Sequence, residues 1–227
     1  MSKKLIIYGI GETADIAHEY FTHDSNYEVV AFTADKDYIK ENTLKGLPVV
    51  PFETIENNYS IDQYEMFVAA TYNQLNRVRA IMFKKAKEKN YTLASYVSSR
   101  AFVWHNVKLG ENVFIFENNV IQHQCEIGDN VVLWSGNHIG HQSKIKDHAY
   151  LSSHCVISGF CSIGEYSFLG VNCTFNDNVS IADDTLISSG ALIVKNSEKK
   201  GALLMGSPAR AASKTSYQAF NVNEDWI

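Results

Sequence analysis

Three of the 8 histidines in this 227-residue chain, His105, His123 and His141, stand 18 residues apart, and Gly159 and Asp177 continue the spacing. His141 lies in Ile139-Gly140-His141-Gln142, and Gly159 falls one 18-residue step beyond it. If residues so spaced stack, a ring nitrogen meets a glycine backbone N–H. That pair is what acyl transfer needs: a general base and a donor for the developing oxyanion. A lone histidine on a protein surface is usually just solvated, so it is the accompanying glycine that singles out His141. His154 is expected near the base through the next coil, lining an acceptor pocket. His138, three residues before His141, is expected on the surface or at a subunit contact.

These residues can stack only on a scaffold with that period, and the chain carries one. From Val97 to Ile193 every sixth residue is apolar, aliphatic throughout except for Phe175. A strand repeats every two residues and a helix every 3.6, so neither explains a strict six. Glycine follows the anchor in Leu109-Gly110, Ile127-Gly128, Ile139-Gly140, Ile163-Gly164 and Leu169-Gly170. Four positions after each anchor the side chain is mostly small, as at Val113, Ser143, Ala149 and Ala191, and all 4 cysteines (Cys125, Cys155, Cys161, Cys173) fall there. This is a hexapeptide solenoid, and the cysteines read as core thiols, since a disulfide or metal set would not follow a packing register. The repeat resembles the left-handed parallel β-helix of hexapeptide-repeat acyltransferases. That resemblance implies the hand and three hexapeptides per coil, so that residues 18 apart lie about one strand spacing, roughly 4.8 Å, apart.

Before the repeat, Lys4–Tyr8, Glu28–Phe32, Met66–Ala70 and Leu93–Val97 read as strands, with helices to about Phe21 and over Arg77–Lys89. Strands alternating with helices predict a small parallel α/β sheet of Rossmann type. Gly9 and Gly11 fit the glycines of a phosphate-binding βα turn, and Asp35 lies where an acidic residue meets a ribose hydroxyl. This segment holds only one mononucleotide-binding half, so a nucleotide without nicotinamide fits better than NAD. The expected domains are therefore a Rossmann-like half domain over 1–97, a β-helix over 98–212, and a tail over 213–227. Trp134 and Phe116 share a repeat phase one coil apart and read as packing residues; in the tail Tyr217, Phe220 and Trp226 look exposed.

A net charge of −5 leaves no basic footprint for nucleic acid. The first apolar run is too short for a signal peptide or a membrane span, so cytoplasmic placement is the expectation.

Tyr8-Gly9-x-Gly11, the Gly140-His141 hexapeptide, Ile181-Ala182-Asp183-Asp184, Gly190-Ala191 through Asn196, and Gly206-Ser207-Pro208-Ala209-Arg210 are similar to one subgroup. These are the hexapeptide-repeat sugar acyltransferases of the bacillosamine and perosamine N-acetyltransferase and sialic acid O-acetyltransferase type. The resemblance spans residues 3–212. It implies a homotrimer that transfers an acyl group, most simply acetyl, from acetyl-CoA to the amine of a nucleotide-linked amino sugar, without a metal. It also implies that His141 is the base and that the Gly159 N–H meets the thioester carbonyl. Tyr150, Val171, Ser189, Pro208 and Arg210 are implied to contact acyl-CoA, and Gly11, Glu12, Thr13, Asp35, Lys36 and Thr71 the sugar nucleotide. Where several members carry a glutamate after the histidine, this chain has Gln142, an uncharged amide that can orient the ring but not stabilise an imidazolium as a carboxylate does. O-acylation of a sugar hydroxyl uses the same residues. A trimeric zinc enzyme of the γ-carbonic anhydrase type, drawing on His138, His141, His148 and His154, and a non-catalytic nucleotide-sugar sensor are the other readings.

Overall fold

The computed structural model describes residues 3–227, which divide into two compact units. The first comprises the chain up to Thr71 together with Arg79–Tyr96; the second comprises Tyr72–Val78 and Val97–Ile227. The division thus differs from a single cut near residue 97: the short segment Tyr72–Val78 leaves the α/β part and groups with the repeat.

In the first unit, β1 (Lys3–Tyr8), β2 (Tyr27–Ala34), β3 (Thr43–Leu44), β4 (Leu47–Pro51) and β5 (Tyr64–Val68) form one sheet in the order β3-β4-β2-β1-β5. All neighbours are parallel except β3 and β4. The apolar runs of the sequence are its centre: Leu5, Ile6, Ile7, Phe32 and Met66 are buried, as are Ala14, Ala17 and Phe21 of α1 (Glu12–His23). The expected last strand is broken: Leu93 makes a single bridge to Met66 and only Tyr96–Val97 forms a strand, while Leu47–Pro51 supplies a strand as well. The chain reverses its order of addition at β1, so the crevice beyond the ends of β1 and β5 is the switch point where such sheets bind ligands. α2 (Arg77–Glu88) follows β5, its first two residues grouping with the second unit.

In the second unit each hexapeptide contributes a two-residue strand, an outward side chain followed by the inward apolar anchor. The strands stack in parallel at 18-residue register on three faces. The first face carries Phe102, Val120, His138, Val156, Thr174 and Leu192 outward. The second carries Lys108, Glu126, Lys144, Ser162 and Ser180, and the third includes Phe114, Val132, Tyr150, Phe168 and Leu186. The four cysteines are buried and free among the anchors, and burial pushes the thiols of Cys125 and Cys161 up. Three residues after most anchors the backbone turns a corner with positive φ, between 54° and 62° at Asn112, Asn130, Gln142, His148, His154, Tyr166 and Asp184. No β-branched side chain stands at those corners, because a branched Cβ is costly in the left-handed region.

The tail is not a loose end. In α3 (Ser216–Phe220) Thr215 and Gln218 form a capping box. Tyr217 donates to Asp184 Oδ2 at 2.8 Å, and Arg77 pairs with Asp184 at 2.5 Å while lying 4.1 Å over the Tyr166 ring. Arg77 Nε also donates to the Trp226 carbonyl at 3.2 Å. Tyr217 and Phe220 are partly buried rather than exposed. No short-range pattern signals this, because Asp184 and Arg77 are brought together only by the fold.

Candidate active site

The 18-residue spacing does bring the histidines into a column. The His123 and His141 rings are parallel, with centroids 5.7 Å apart and planes 5° from each other. Gly159 stands above His141 as the spacing required. A Cβ on Gly159 would lie 2.6 Å from His141 Cε1 and 2.7 Å from Nε2, so only glycine lets the imidazole occupy this place. Phe160 closes one side, its ring edge-on to His141 at 4.9 Å.

Two details differ from expectation. The amide that faces the ring belongs to Gln122, not Gln142. Gln122 Oε1 accepts from the His141 backbone N–H at 2.9 Å and lies 3.2 Å from Nδ1. A carbonyl oxygen only accepts, so this contact places the proton on Nδ1 and leaves the lone pair on Nε2. Gln142, with φ of 57°, is an exposed corner residue. The only signal for Gln122 in the sequence is its phase, one 18-residue step before Gly140 and so beside the base. Second, the Gly159 N–H donates to Asp177 Oδ1 at 2.9 Å. The same bond recurs at another corner, from Glu111 to Asp129 and from Glu165 to Asp183, each at 2.8 Å. It is a coil-to-coil device, and in this structure the donor assigned to an oxyanion is engaged.

His154 does not share this site within the chain. It lies on a different corner, between the third and first faces, where its ring covers Gly136. Val171 and Ser189 are exposed on that same corner, and Pro208 and Arg210 are exposed near the end of the helix. Tyr150 is a correction. Only 6% exposed, it stacks on Phe168 at 5.4 Å, meets Tyr72 edge-on at 5.1 Å and accepts from Trp134 Nε1. A side chain so enclosed has no face left for acyl-CoA. Trp134 in turn stacks on Phe116 at 4.4 Å, the packing role expected of both. His138 is on the first face, His148 on the corner with Asn130, and His154 on the third corner, so the histidines are dispersed. Among the described residues no group of three or more His, Cys, Asp or Glu is placed to hold a metal.

In the first unit Gly9, with φ of 145°, follows β1, and a Cβ there would meet the Ala69 carbonyl oxygen at 2.3 Å, so glycine lets the ends of β1 and β5 close up. Gly11 caps α1, leaving Gly11 and Glu12 exposed and Thr13 partly buried at the positive end of the helix, while Thr71 is partly buried just beyond β5. Asp35 Oδ1 accepts from Tyr8 OH at 2.5 Å and Oδ2 from Lys85 Nζ at 2.6 Å. Burial alone would raise the Asp35 carboxyl, but Lys85 and Tyr8 outweigh it and hold it below the usual carboxylate range. Burial, then Asp35, pushes the Tyr8 phenol up. The exposed Lys36 donates its backbone N–H to Glu53 at 3.1 Å. Lys85 was not singled out from the sequence, and Tyr8 only as part of the Tyr8-Gly9-x-Gly11 motif; their convergence on Asp35 joins three elements.

The family described as the GMPPB C-terminal domain matches residues 92–201. No curated protein sequence matches. Among solved structures, PerB from Caulobacter crescentus in complex with CoA and GDP-perosamine is 25% identical, with a TM-score of 0.81 over 92% of this chain and 97% of that one. The acetyltransferase domain of PglB from Neisseria gonorrhoeae is 21% identical, with a TM-score of 0.81 over 92% of this chain and all (100%) of that one. WeeI from Acinetobacter baumannii is 17% identical, with a TM-score of 0.77 over 92% and 100%. The chain has their fold, an α/β N-terminal part followed by a left-handed parallel β-helix, as the repeat and its resemblance led us to expect. No described helix is long and apolar enough to cross a membrane.

Proposed function

We propose that this protein is an acyl-CoA-dependent N-acyltransferase, most simply an N-acetyltransferase, acting on a nucleotide-linked amino sugar. The observation that carries the proposal is the His141 imidazole, held against glycine and protonated on Nδ1 by its Gln122 contact, with Nε2 free to take a proton. In the reaction the acceptor nitrogen attacks the thioester carbonyl as Nε2 removes its proton. The tetrahedral intermediate then expels the CoA sulfur, and the imidazolium returns the proton to it. The Gly159 N–H serves the oxyanion once Asp177 releases it. The α/β unit supplies the nucleotide site, with Gly9, Gly11 and the start of α1 toward the diphosphate and Asp35 toward the nucleoside. The neighbours solved with CoA and GDP-perosamine, and with acetyl coenzyme A, support the same pair of substrates.

The working form is a homotrimer. His141 and the exposed Val171 and Ser189 flank the first face from opposite corners, so a groove touching both kinds of residue forms where the corner of one copy meets the face of the next. Closed three-fold symmetry satisfies each such patch once. The test is release of free thiol from acetyl-CoA in the presence of UDP-, GDP- and dTDP-linked amino sugars. No thiol release with any acceptor, from protein that light scattering shows to be trimeric, overturns the activity.

A further inference from the structure

Below His141, toward the start of the β-helix, lies a recess of about 620 Å³ lined by Phe102, Trp104, Asn106, Gln122, His123 and His141. Its floor is aromatic. Trp104 is 44% exposed although flanked by Phe102, with centroids 5.9 Å apart, and by His105 at 5.4 Å. A few polar groups converge on the recess, the Asn106 and Gln122 amides and two imidazoles. The position of Trp104 in the repeat matters: it is the residue that follows an anchor, as are Gln122 one coil up and Gly140 two coils up. Two strand spacings, roughly 10 Å, therefore separate the Trp104 backbone from that of Gly140. The column rises from an indole through the Gln122 amide to the coil that carries the base, and the recess runs along it from Trp104 to His141.

Resting on the proposed function, we infer that Trp104 is the platform for the acceptor sugar ring. A pyranose has an apolar face of C–H groups and a rim of hydroxyls. It would lay the face on the exposed indole, turn the rim to Asn106 and His123, and present its amine to His141 Nε2. The volume suits a small-molecule pocket, and the pattern of an apolar wall with a few converging polar groups is what fixes orientation in such sites. This places the acceptor on the N-terminal side of His141 and leaves the Gly159 side to the thioester. Trp104 would thus discriminate the sugar ring.

Calorimetric titration with GDP-perosamine and with UDP- and dTDP-linked 4-amino sugars tests this, each beside its bare nucleoside diphosphate, in a His141→Asn background that blocks turnover. Trp104→Ala should weaken the best nucleotide sugar by roughly 5- to 20-fold, leave the bare diphosphate unchanged, and keep the oligomeric state and melting temperature. Trp104→Phe should stay within about threefold, because a flat ring remains. Equal affinity of parent and Trp104→Ala for the nucleotide sugar overturns the inference while leaving the proposed activity standing. Loss of both affinities together with the oligomer overturns it too, by making Trp104 an assembly residue. If no nucleotide sugar binds the parent more tightly than its diphosphate, the inference and the reading beneath it both fall.

Discussion

The first and second faces of the β-helix are written in one six-residue repeat and bury the same kind of inward anchor, yet their outward residues diverge. On the second face Lys108 and Lys144 pair with Glu126 at 3.2 and 3.3 Å, and Ser162 and Ser180 complete a surface suited to water. On the first face Phe102, Val120 and Val156 are 51, 36 and 41% exposed. Such surface pairs as Lys108–Glu126 add little stability, so the charges mainly keep that face solvated. An exposed apolar strip beside His141 instead marks a surface awaiting a partner. The third face shows how the same need is met within the chain, where Tyr72 and Phe220 lie over Phe168. Inward positions therefore set the fold, and outward ones decide what each face is for.

That contrast predicts a sharp difference between adjacent residues. Ile157→Asp puts an unpaired charge inside a coil and should cost several kcal/mol or prevent folding, read as loss of the thermal transition. Its outward neighbour Val156 tolerates the same change in fold, and equal melting of parent and Ile157→Asp protein would show the register to be wrong.

Next in size is the corner that joins the two faces. His141→Asn should lower kcat by about 10²–10⁴-fold with the oligomer intact. His123→Asn, one coil down and lacking a glycine above it, should change kcat far less. If both were equally damaging, the base would lie one coil nearer the N-terminus.

A third variant pair addresses assembly directly. Val156→Lys on the first face should shift the proposed trimer toward monomer in light scattering, whereas Ser162→Lys on the second face should not. Identical behaviour of the two removes the first face as the contact surface.

A smaller effect concerns the partner of the base. Gln122→Glu sets a carboxylate at the Nδ1 contact, which favours the protonated ring. His141 then stays protonated to higher pH, so the acidic limb of the pH–rate profile moves up. Gln142→Glu, from an exposed corner, should move it less. The reverse order would restore Gln142 as the ring's partner.

The least effect is expected far from the helix. Because the Asp35 carboxyl is held low when folded, its pairing stabilises the α/β unit above the unfolded pKa of about 3.9 and is lost as pH falls through the folded value. Asp35→Asn should therefore flatten the acid side of the stability curve by under about 1 kcal/mol, since the pair is partly solvated. An unchanged acid limb would mean that the Lys85 contact contributes nothing.

Much of this architecture is legible in the sequence because it is periodic. A repeat of six with apolar anchors specifies a solenoid, the resemblance implies three hexapeptides per coil, and arithmetic in steps of 18 then places His105, His123, His141 and Gly159 in one column. The same arithmetic assigns His154 to another corner, two hexapeptides on, so its expected place beside the base ignored a phase the sequence already contained. Asp177 likewise lies one step above Gly159, and the acid–amide bonds of the Asp129 and Asp183 corner show its consequence.

What the sequence alone determined was thus everything governed by spacing along the chain: the fold, the inward and outward sides, the buried thiols and the histidine column. The tertiary structure decided which side chains meet across that spacing. Gln122 reaches the His141 ring from 19 residues away because the coil sets it about one strand spacing below the base. Tyr150 is closed to ligands because Tyr72, from a segment that departs from the α/β unit, lies against it. Arg77, Asp184 and the tail converge through one ion pair that no local pattern encodes. Periodicity fixes backbone register, since every coil repeats the same geometry. Side-chain partners depend on volumes left vacant and on segments that return from afar, which appear only once the chain is folded.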